Sequence, residues 1–273
     1  MSHDLPVLGA ALSLDMLARH RDWVLGAQRD LELQSFCWPN TPEQDFPEMI
    51  ARAKTLLDGH TGRRGLHGPF QSFSIDCADP EIAAVIQRRM IRTLEICEEL
   101  GADQMVIHSP YGIWNGADDA VKPSAAIMRI ERVRFVLSPV IKRAEAAGIT
   151  LVLENCEDQD AGARVALARA LKSPNVKVSL DTGHAYFMHR IGKAPPVDAF
   201  VYAAGAMLEH VHLQDMDGQA DRHWHPGEGE IHWHAVFKAL RSVPKMPRLI
   251  LEVNDELAVT KGAEWLAAQG LAL

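Results

Sequence analysis

The amino-acid sequence predicts an α/β chain closed into a single (β/α)8 TIM barrel over residues 1–273. Short apolar runs alternate with amphipathic stretches along the whole chain, which implies a parallel sheet covered by helices. The length of 273 residues suits one such barrel. Several apolar runs, LHGPF, VIHSP, LVLEN, SLDTGH, HVHLQD and LILEV, continue only as far as a polar residue. Barrel strands present their C-terminal residues to one functional rim, so these polar residues are expected to meet.

Taken in order, the strand candidates are Val7–Ala11, Leu31–Phe36, Gly65–Phe70, Gln104–His108, Thr150–Glu154, Val176–Leu180, His210–Leu213 and Leu249–Val253. The helical stretches that follow them are Leu14–Leu25, Pro42–Asp58, Pro80–Leu100, Ala126–Ala147, Ala161–Leu171, Val197–Leu208, His234–Val243 and Leu257–Ala268. In the third, Ile82, Val85, Ile86, Met90, Leu94 and Cys97 recur at helical spacing and form one apolar face. Asp79 before Pro80 reads as an N-cap with proline at N1, and Gly101 and Gly148 stand where C-caps belong. An open doubly wound sheet would bring a glycine-rich phosphate turn after its first strand, whereas that turn here reads GAALSLD. The longest polar connections, Cys37–Phe46, Tyr111–Ser124 and Asp215–Ile231, all follow strands and are expected on the functional rim.

Composition narrows the function classes. The net charge of −8, from 28 basic and 36 acidic residues, gives no basic stripe for nucleic acid. Cys37, Cys77, Cys97 and Cys156 form no CxxC pair, so reduced thiols and a cytoplasmic location are expected. The N-terminal MSHDLPVLGAAL lacks a basic leader, and no run approaches the roughly 20 apolar residues that span a bilayer.

Nine residues carry the chemistry: His67, His108, Glu154, Asp181, His184, His212, Asp221, His223 and Glu252. One histidine alone is more often a satisfied core residue than a ligand, and His3, His20, His60 and His189 fall away from strand ends. His210 and His212 are expected to face opposite sides, one into the barrel mouth and the other packed outward. Glu154, Asp181, His212 and Glu252 come from four consecutive strands, and a carboxylate ending an apolar strand is costly unless paired or metal-bound. His184 follows Asp181 closely, and Asp221-Arg-His223 lies in a loop long enough to close over the rim. The alternative is a ring of carboxylate–histidine ion pairs without metal, which would be held at considerable desolvation cost. Such nitrogen and carboxylate ligands suit a divalent cation, and imidazole-rich ligation favours Mn2+ or Zn2+, with Co2+ and Mg2+ also open and room for more than one ion. Pro226-Gly-Glu-Gly229 reads as the turn that returns Asp221 and His223 to the rim, and Asp118–Pro123 as either a lid or a solvated loop.

At these residues the chain resembles the xylose isomerase-like TIM-barrel superfamily, which includes endonuclease IV and the ketose 3-epimerases. The motifs concerned are His67-Gly-Pro-Phe70, Val106-Ile-His108, Leu153-Glu-Asn155, Leu180-Asp-Thr-Gly-His184, His210-Val-His212 and Asp221-Arg-His223 with its Gly-Glu-Gly turn. The epimerase branch implies one metal on Glu154, Asp181, His212 and Glu252, with Glu154 and Glu252 as the acid/base pair and His184 on substrate. The endonuclease branch implies three zinc ions, with His67, His108 and Glu154 on one and His184, Asp221 and His223 on another.

The expected activity is isomerisation or epimerisation of a small sugar or polyol-like carbonyl compound through a metal-stabilised enediolate. Trp38, Phe70 and Trp114 could pack on a sugar face, with Arg222 as a further substrate contact. The alternatives are an endonuclease IV-like phosphodiester hydrolase acting on abasic DNA and a polyol dehydratase or lyase. Against the nuclease, Gly9–Ser13, Cys37–Phe46 and Gln71–Asp79 contain no Lys or Arg, leaving Lys122, Arg190, Lys193 and Arg222 as phosphate contacts. Assembly into a homo-oligomer stays open.

Overall fold

A computed structural model describes residues 5–114 and 122–273. The stretch Asp118–Pro123 lies outside those residues as far as 121. Eight strands close in chain order into a barrel: β1 (Gly9–Leu12), β2 (Leu31–Leu33), β3 (Arg64–His67), β4 (Gln104–His108), β5 (Thr150–Glu154), β6 (Val176–Asp181), β7 (Leu208–Leu213) and β8 (Arg248–Leu251). Every neighbouring pair is parallel, and β1 closes the ring against β8. These strands are buried on both faces, which is why they read as nearly continuous apolar runs.

The register decides what the rim contains. His108 pairs with Glu154 across β4 and β5, and Asp181 pairs with His212 across β6 and β7. In parallel pairing, partners lie side by side on one face, so each pair presents two polar groups together. β4 and β5 run over the expected residues. β3 stops at His67, short of the expected Phe70, because the Gly68 amide makes the last bond to β4, to the Val106 carbonyl at 2.8 Å, and Pro69 has no N–H to donate.

The helices wrap the barrel: α1 (Leu14–Gly26), α2 (Phe46–Leu56), α3 (Pro80–Leu100), α4 (Pro123–Ala147), α5 (Ala163–Ala170), α6 (Thr182–Arg190), α7 (Val197–Ala204), α8 (Trp233–Leu240) and α9 (Thr260–Ala268). The Asp79 carboxylate caps α3 by accepting from the Glu81 and Ile82 amides, and Gly101 ends it at φ 66°. α6 is an addition to the eight expected helices. The Asp181 carboxylate caps it by accepting from the His184 amide at 2.6 Å, so the residue that ends β6 also starts the next helix.

His210 differs from expectation. Residues two apart on a strand share a face, so His210 points inward below His212. Both rings reach the Glu32 carboxylate of β2 at 3.1 Å.

Two polar braces hold the strands that bear the site. Asn155 donates its amide to the Asp181 carbonyl at 2.9 Å and accepts from the Asp181 amide at 2.8 Å, extending β5–β6 pairing by one side chain. Arg164 of α5 is buried, donates to the Leu153 carbonyl at 3.1 Å and to the Ser179 carbonyl, and pairs with buried Asp158 at 2.9 Å. The four cysteines are free thiols, and among the described residues no helix is long and apolar enough to cross a membrane.

Replacing Arg164 with Met would leave the Asp158 charge buried without its partner. The expected loss is about 3–5 kcal/mol of unfolding free energy, read from urea denaturation.

Candidate metal centre

Strand ends supply most of the rim: His67 from β3, His108 from β4, Glu154 from β5, Asp181 from β6 and His212 from β7. Glu252 follows the last residue of β8, His184 stands in the first turn of α6, and Asp221 and His223 come from the loop between β7 and α8. Ligand atoms lie within 4.8 Å of one another in three groups that cover all nine residues. These are Glu154, Asp181, His212 and Glu252; His67, His108 and Glu154; and His184, Asp221 and His223.

In the first group His212 Nδ1 lies 3.4 Å from Glu154 Oε1 and 3.3 Å from Glu252 Oε2. The second oxygen of Glu154 lies 3.7 Å from His67 Nε2 and 3.8 Å from His108 Nε2, so Glu154 belongs to two groups at once. In the third, Asp221 Oδ1 stands 3.5 Å from His184 Nε2 and 3.1 Å from His223 Nε2.

These residues fit a divalent cation. Glu154 Oε2, Asp181 Oδ2 and His212 Nδ1 are buried and have no hydrogen-bond partner among the described residues. Buried polar atoms are ordinarily satisfied, and three unsatisfied donor atoms from one group are what a cation would complete. The second nitrogens of the ligand histidines are already engaged: His67 Nδ1 with the Gly68 carbonyl at 2.8 Å, His184 Nδ1 with the Asn155 carbonyl at 2.9 Å, and His223 Nδ1 with the Glu252 carbonyl at 3.1 Å. Such bonds orient a metal-binding imidazole and fix which nitrogen faces the ion.

The protonation equilibria show the strain of crowding these charges. Burial alone would raise the Glu154 carboxyl, but His212 first, then His184 and His67 close around it, hold it well below the usual carboxylate range. Burial pushes Asp181 up to about 6. His108 is driven down to about 3 by burial. Burial would lower His223 as well, yet the bond to Asp221 and the charges of Glu252 and Asp181 raise it to about 9. Burial would likewise raise Glu32, yet His212 first, then His210, both close to it, hold that carboxyl low.

A second layer fixes the loop bearing Asp221 and His223. Buried Gln214 donates from Nε2 to Asp181 Oδ1 at 3.1 Å and to Asp221 Oδ1 at 3.4 Å, bridging two of the groups. Gly183 makes room for it, since a Cβ there would fall 2.2 Å from the Gln214 amide. The buried Asp215 carboxylate accepts from the Gly227 and Ile231 amides and from the Trp233 indole, at 2.8–3.1 Å, and so ties down the Gly-Glu-Gly turn. Gly227, at φ 92°, lies against Trp265, where a Cβ would approach to 2.3 Å.

The exposed ligands open onto a cavity of about 430 Å³. Trp38 and Phe70 form one wall, their rings 5.7 Å apart, and Phe70 stacks on His108 at 4.5 Å. Trp114 is 80% exposed and does not line the cavity. Arg222 is likewise outside the lining, paired with Asp217 at 3.0 Å and packed over the Trp224 ring. The structure adds Gln34, whose amide donates to Glu252 Oε1, together with Gln71, Asn254 and Glu256. Glu32 had a visible signal, a carboxylate in the middle of the apolar run LEL, whereas no local pattern marks Gln34 or Gln214.

The model of the family described as xylose isomerase-like TIM barrel matches residues 31–269. The chain belongs to this family. It is 22% identical over 205 residues to the uncharacterized protein MJ1311 of Methanocaldococcus jannaschii, a match that takes in 72% of this chain and 66% of that protein's length. Among solved structures, a D-tagatose 3-epimerase-like protein superposes with a TM-score of 0.76 at 19% identity, covering 97% of this chain and 98% of the other. The TTHB071 protein from Thermus thermophilus, in a crystal soaked with ZnCl2, superposes with a TM-score of 0.72 at 25% identity, covering 96% and 98% of the two chains.

Asp221→Ala removes a ligand candidate that is carried by a loop rather than a strand. After loading with Zn2+ and gel filtration, this variant should retain a lower metal-to-protein ratio than the wild type by elemental mass spectrometry; an unchanged ratio would remove that loop from the site.

Proposed function

We propose that this chain is a divalent-metal-dependent isomerase or epimerase of a small, uncharged sugar or polyhydroxy carbonyl compound. The observation that carries the reading is the pair Glu154 and Glu252, placed 3.4 and 3.3 Å from the same unsatisfied His212 nitrogen. Family membership and the fold shared with a D-tagatose 3-epimerase-like protein support it. Glu154, Asp181, His212 and Glu252 would hold the central cation, Mn2+ or Zn2+ by the chemistry of the donor set. A cation held there supplies Lewis acidity toward a substrate carbonyl oxygen.

The chain's own residues do the rest. One of the two glutamates takes a proton from the carbon beside the carbonyl, the C–H electron pair becoming the double bond of an enediolate. The other returns a proton to the opposite face for epimerisation; for isomerisation the proton goes to the neighbouring carbon, while the hydroxyl proton of the first carbon passes to the former carbonyl oxygen. His184, on the cavity side of Asp181, hydrogen-bonds a substrate oxygen. Trp38 and Phe70 cover the apolar face of the sugar and exclude water from the enediolate. The described residues lining the cavity include no Lys or Arg, and residues 115–121 also contain none, which favours a substrate without phosphate.

One observation favours a second reading, a multi-ion phosphodiester hydrolase: the nine residues form three groups rather than one. Such an enzyme grips several phosphates with cationic side chains, which this cavity does not present among its described lining residues. Incision of an abasic-site duplex by the Zn2+-loaded protein would decide for that reading.

Glu154→Gln and Glu252→Gln should each lower turnover by at least about 100-fold, the scale of a lost general acid or base. The assay is deuterium incorporation from D2O into free ketoses, with metal content measured alongside so that loss of the ion is told apart from loss of the base. Normal exchange in either variant would remove the pair from the mechanism.

A further inference from the structure

Below the rim, outside the nine residues, lies a buried polar chain that the reaction does not use. Glu32 of β2 is 2% exposed, and its two oxygens are divided between two rings: Oε1 lies 3.1 Å from His212 Nε2, and Oε2 lies 3.1 Å from His210 Nε2. His210 in turn meets Ser179 Oγ through Nδ1 at 2.8 Å. The two imidazoles stand nearly perpendicular, at 88°, with centroids 4.5 Å apart, so neither can turn without striking the other. His67 stacks parallel to His212 on another side, at 6.0 Å and 2°.

We propose that Glu32 is a positioning residue for the metal centre: it holds His212 as the Nε2–H tautomer with its Nδ1 lone pair presented between Glu154 and Glu252, and His210 and Ser179 hold Glu32. An ionised carboxylate only accepts, so the ring nitrogen facing Glu32 carries the hydrogen. In the neutral ring the other nitrogen is then an acceptor. It points at two carboxylate oxygens, 3.4 and 3.3 Å away, and an acceptor facing two acceptors is stable only around a cation or a proton. One layer down, His210 Nε2 stands 3.1 Å from Glu32 Oε2 as an ion-pair contact without an aligned hydrogen bond, while its Nδ1 is bonded to the Ser179 hydroxyl and keeps the ring in place. A carboxylate inside the barrel is costly, and this arrangement explains its place: although Glu32 also lies within reach of His67 and Glu252, its bond to His212 Nε2 sets the direction of the other nitrogen of that ring.

The inference rests on the metal centre of the proposed function and not on the reaction, so its test contains no turnover assay. Zn2+ affinity is measured by competition with a chromophoric chelator for wild type, Glu32→Gln and Ser179→Ala. In Glu32→Gln the amide presents a donor to one of the two rings, and Zn2+ should bind about 10- to 100-fold more weakly, the usual effect of losing a bond behind a metal ligand. Ser179→Ala, one bond further away, should weaken binding less. The tautomer is read by long-range 1H–15N correlation on histidine-labelled, Zn2+-loaded wild type, with His212 assigned by loss of its signal in His212→Gln. The Nε2–H pattern is expected for His212. A Nδ1–H pattern overturns the proposal even where Glu32→Gln fails to fold, and so does a folded Glu32→Gln protein that binds Zn2+ as tightly as wild type. Wild-type protein that binds Zn2+ with the expected tautomer but exchanges no ketose proton leaves Glu32 in this role and removes the isomerase reading alone.

Discussion

The in-register parallel pairing of β4 with β5 and of β6 with β7 is the constraint on which the centre depends. It sets His108 beside Glu154 and Asp181 beside His212 on the inner face of the barrel. A slip of one residue in either pair would send one partner to the helix-facing side and dismantle the cluster. The braces at this level span the remaining seam, β5 to β6, and so join one pair to the other. Asn155 locks the end of β5 to Asp181 of β6, and Arg164 reaches the carbonyls of Leu153 and Ser179 one residue or two below. Both side chains are buried, so these bonds form away from competing water.

Around that frame the charges are arranged to need one another. Glu154 touches His67, His108, His184 and His212, and its low proton affinity comes from those rings rather than from solvent. His67, His184 and His223 are steadied through their other nitrogens by carbonyls, and His212 by Glu32. Few of these groups are free to rotate. A site held this way is ready for an ion before it arrives, which lowers the ordering cost of binding.

Much of this was legible in the residues themselves. The alternation of apolar runs and amphipathic stretches predicted the barrel, and the polar residue at the end of each run predicted the members of the rim. The end of β3 at His67 follows from the missing N–H of Pro69, which no hydrophobic pattern encodes. α6 escapes a reading of periodicity because Asp181 serves as both strand terminus and helix cap, and its role as a cap is visible only once the chain has turned. The expectation that His210 and His212 face opposite sides fails, although the strand period of two already places them on one face. Gln34 and Gln214 are polar residues at positions with nothing distinctive in sequence, and only tertiary contact shows that they bind the carboxylates of Glu252, Asp181 and Asp221. Trp114 and Arg222 sit in rim loops as expected, yet loop residues have no period, and neither lines the cavity.

The contact between Gly183 and Gln214 has an evolutionary corollary. The glutamine amide occupies the volume that any side chain at position 183 would need. An alanine at 183 would displace that amide, and a displaced amide would give up its bonds to both Asp181 and Asp221. The cost of change at one position is thus felt through the other, which couples their drift.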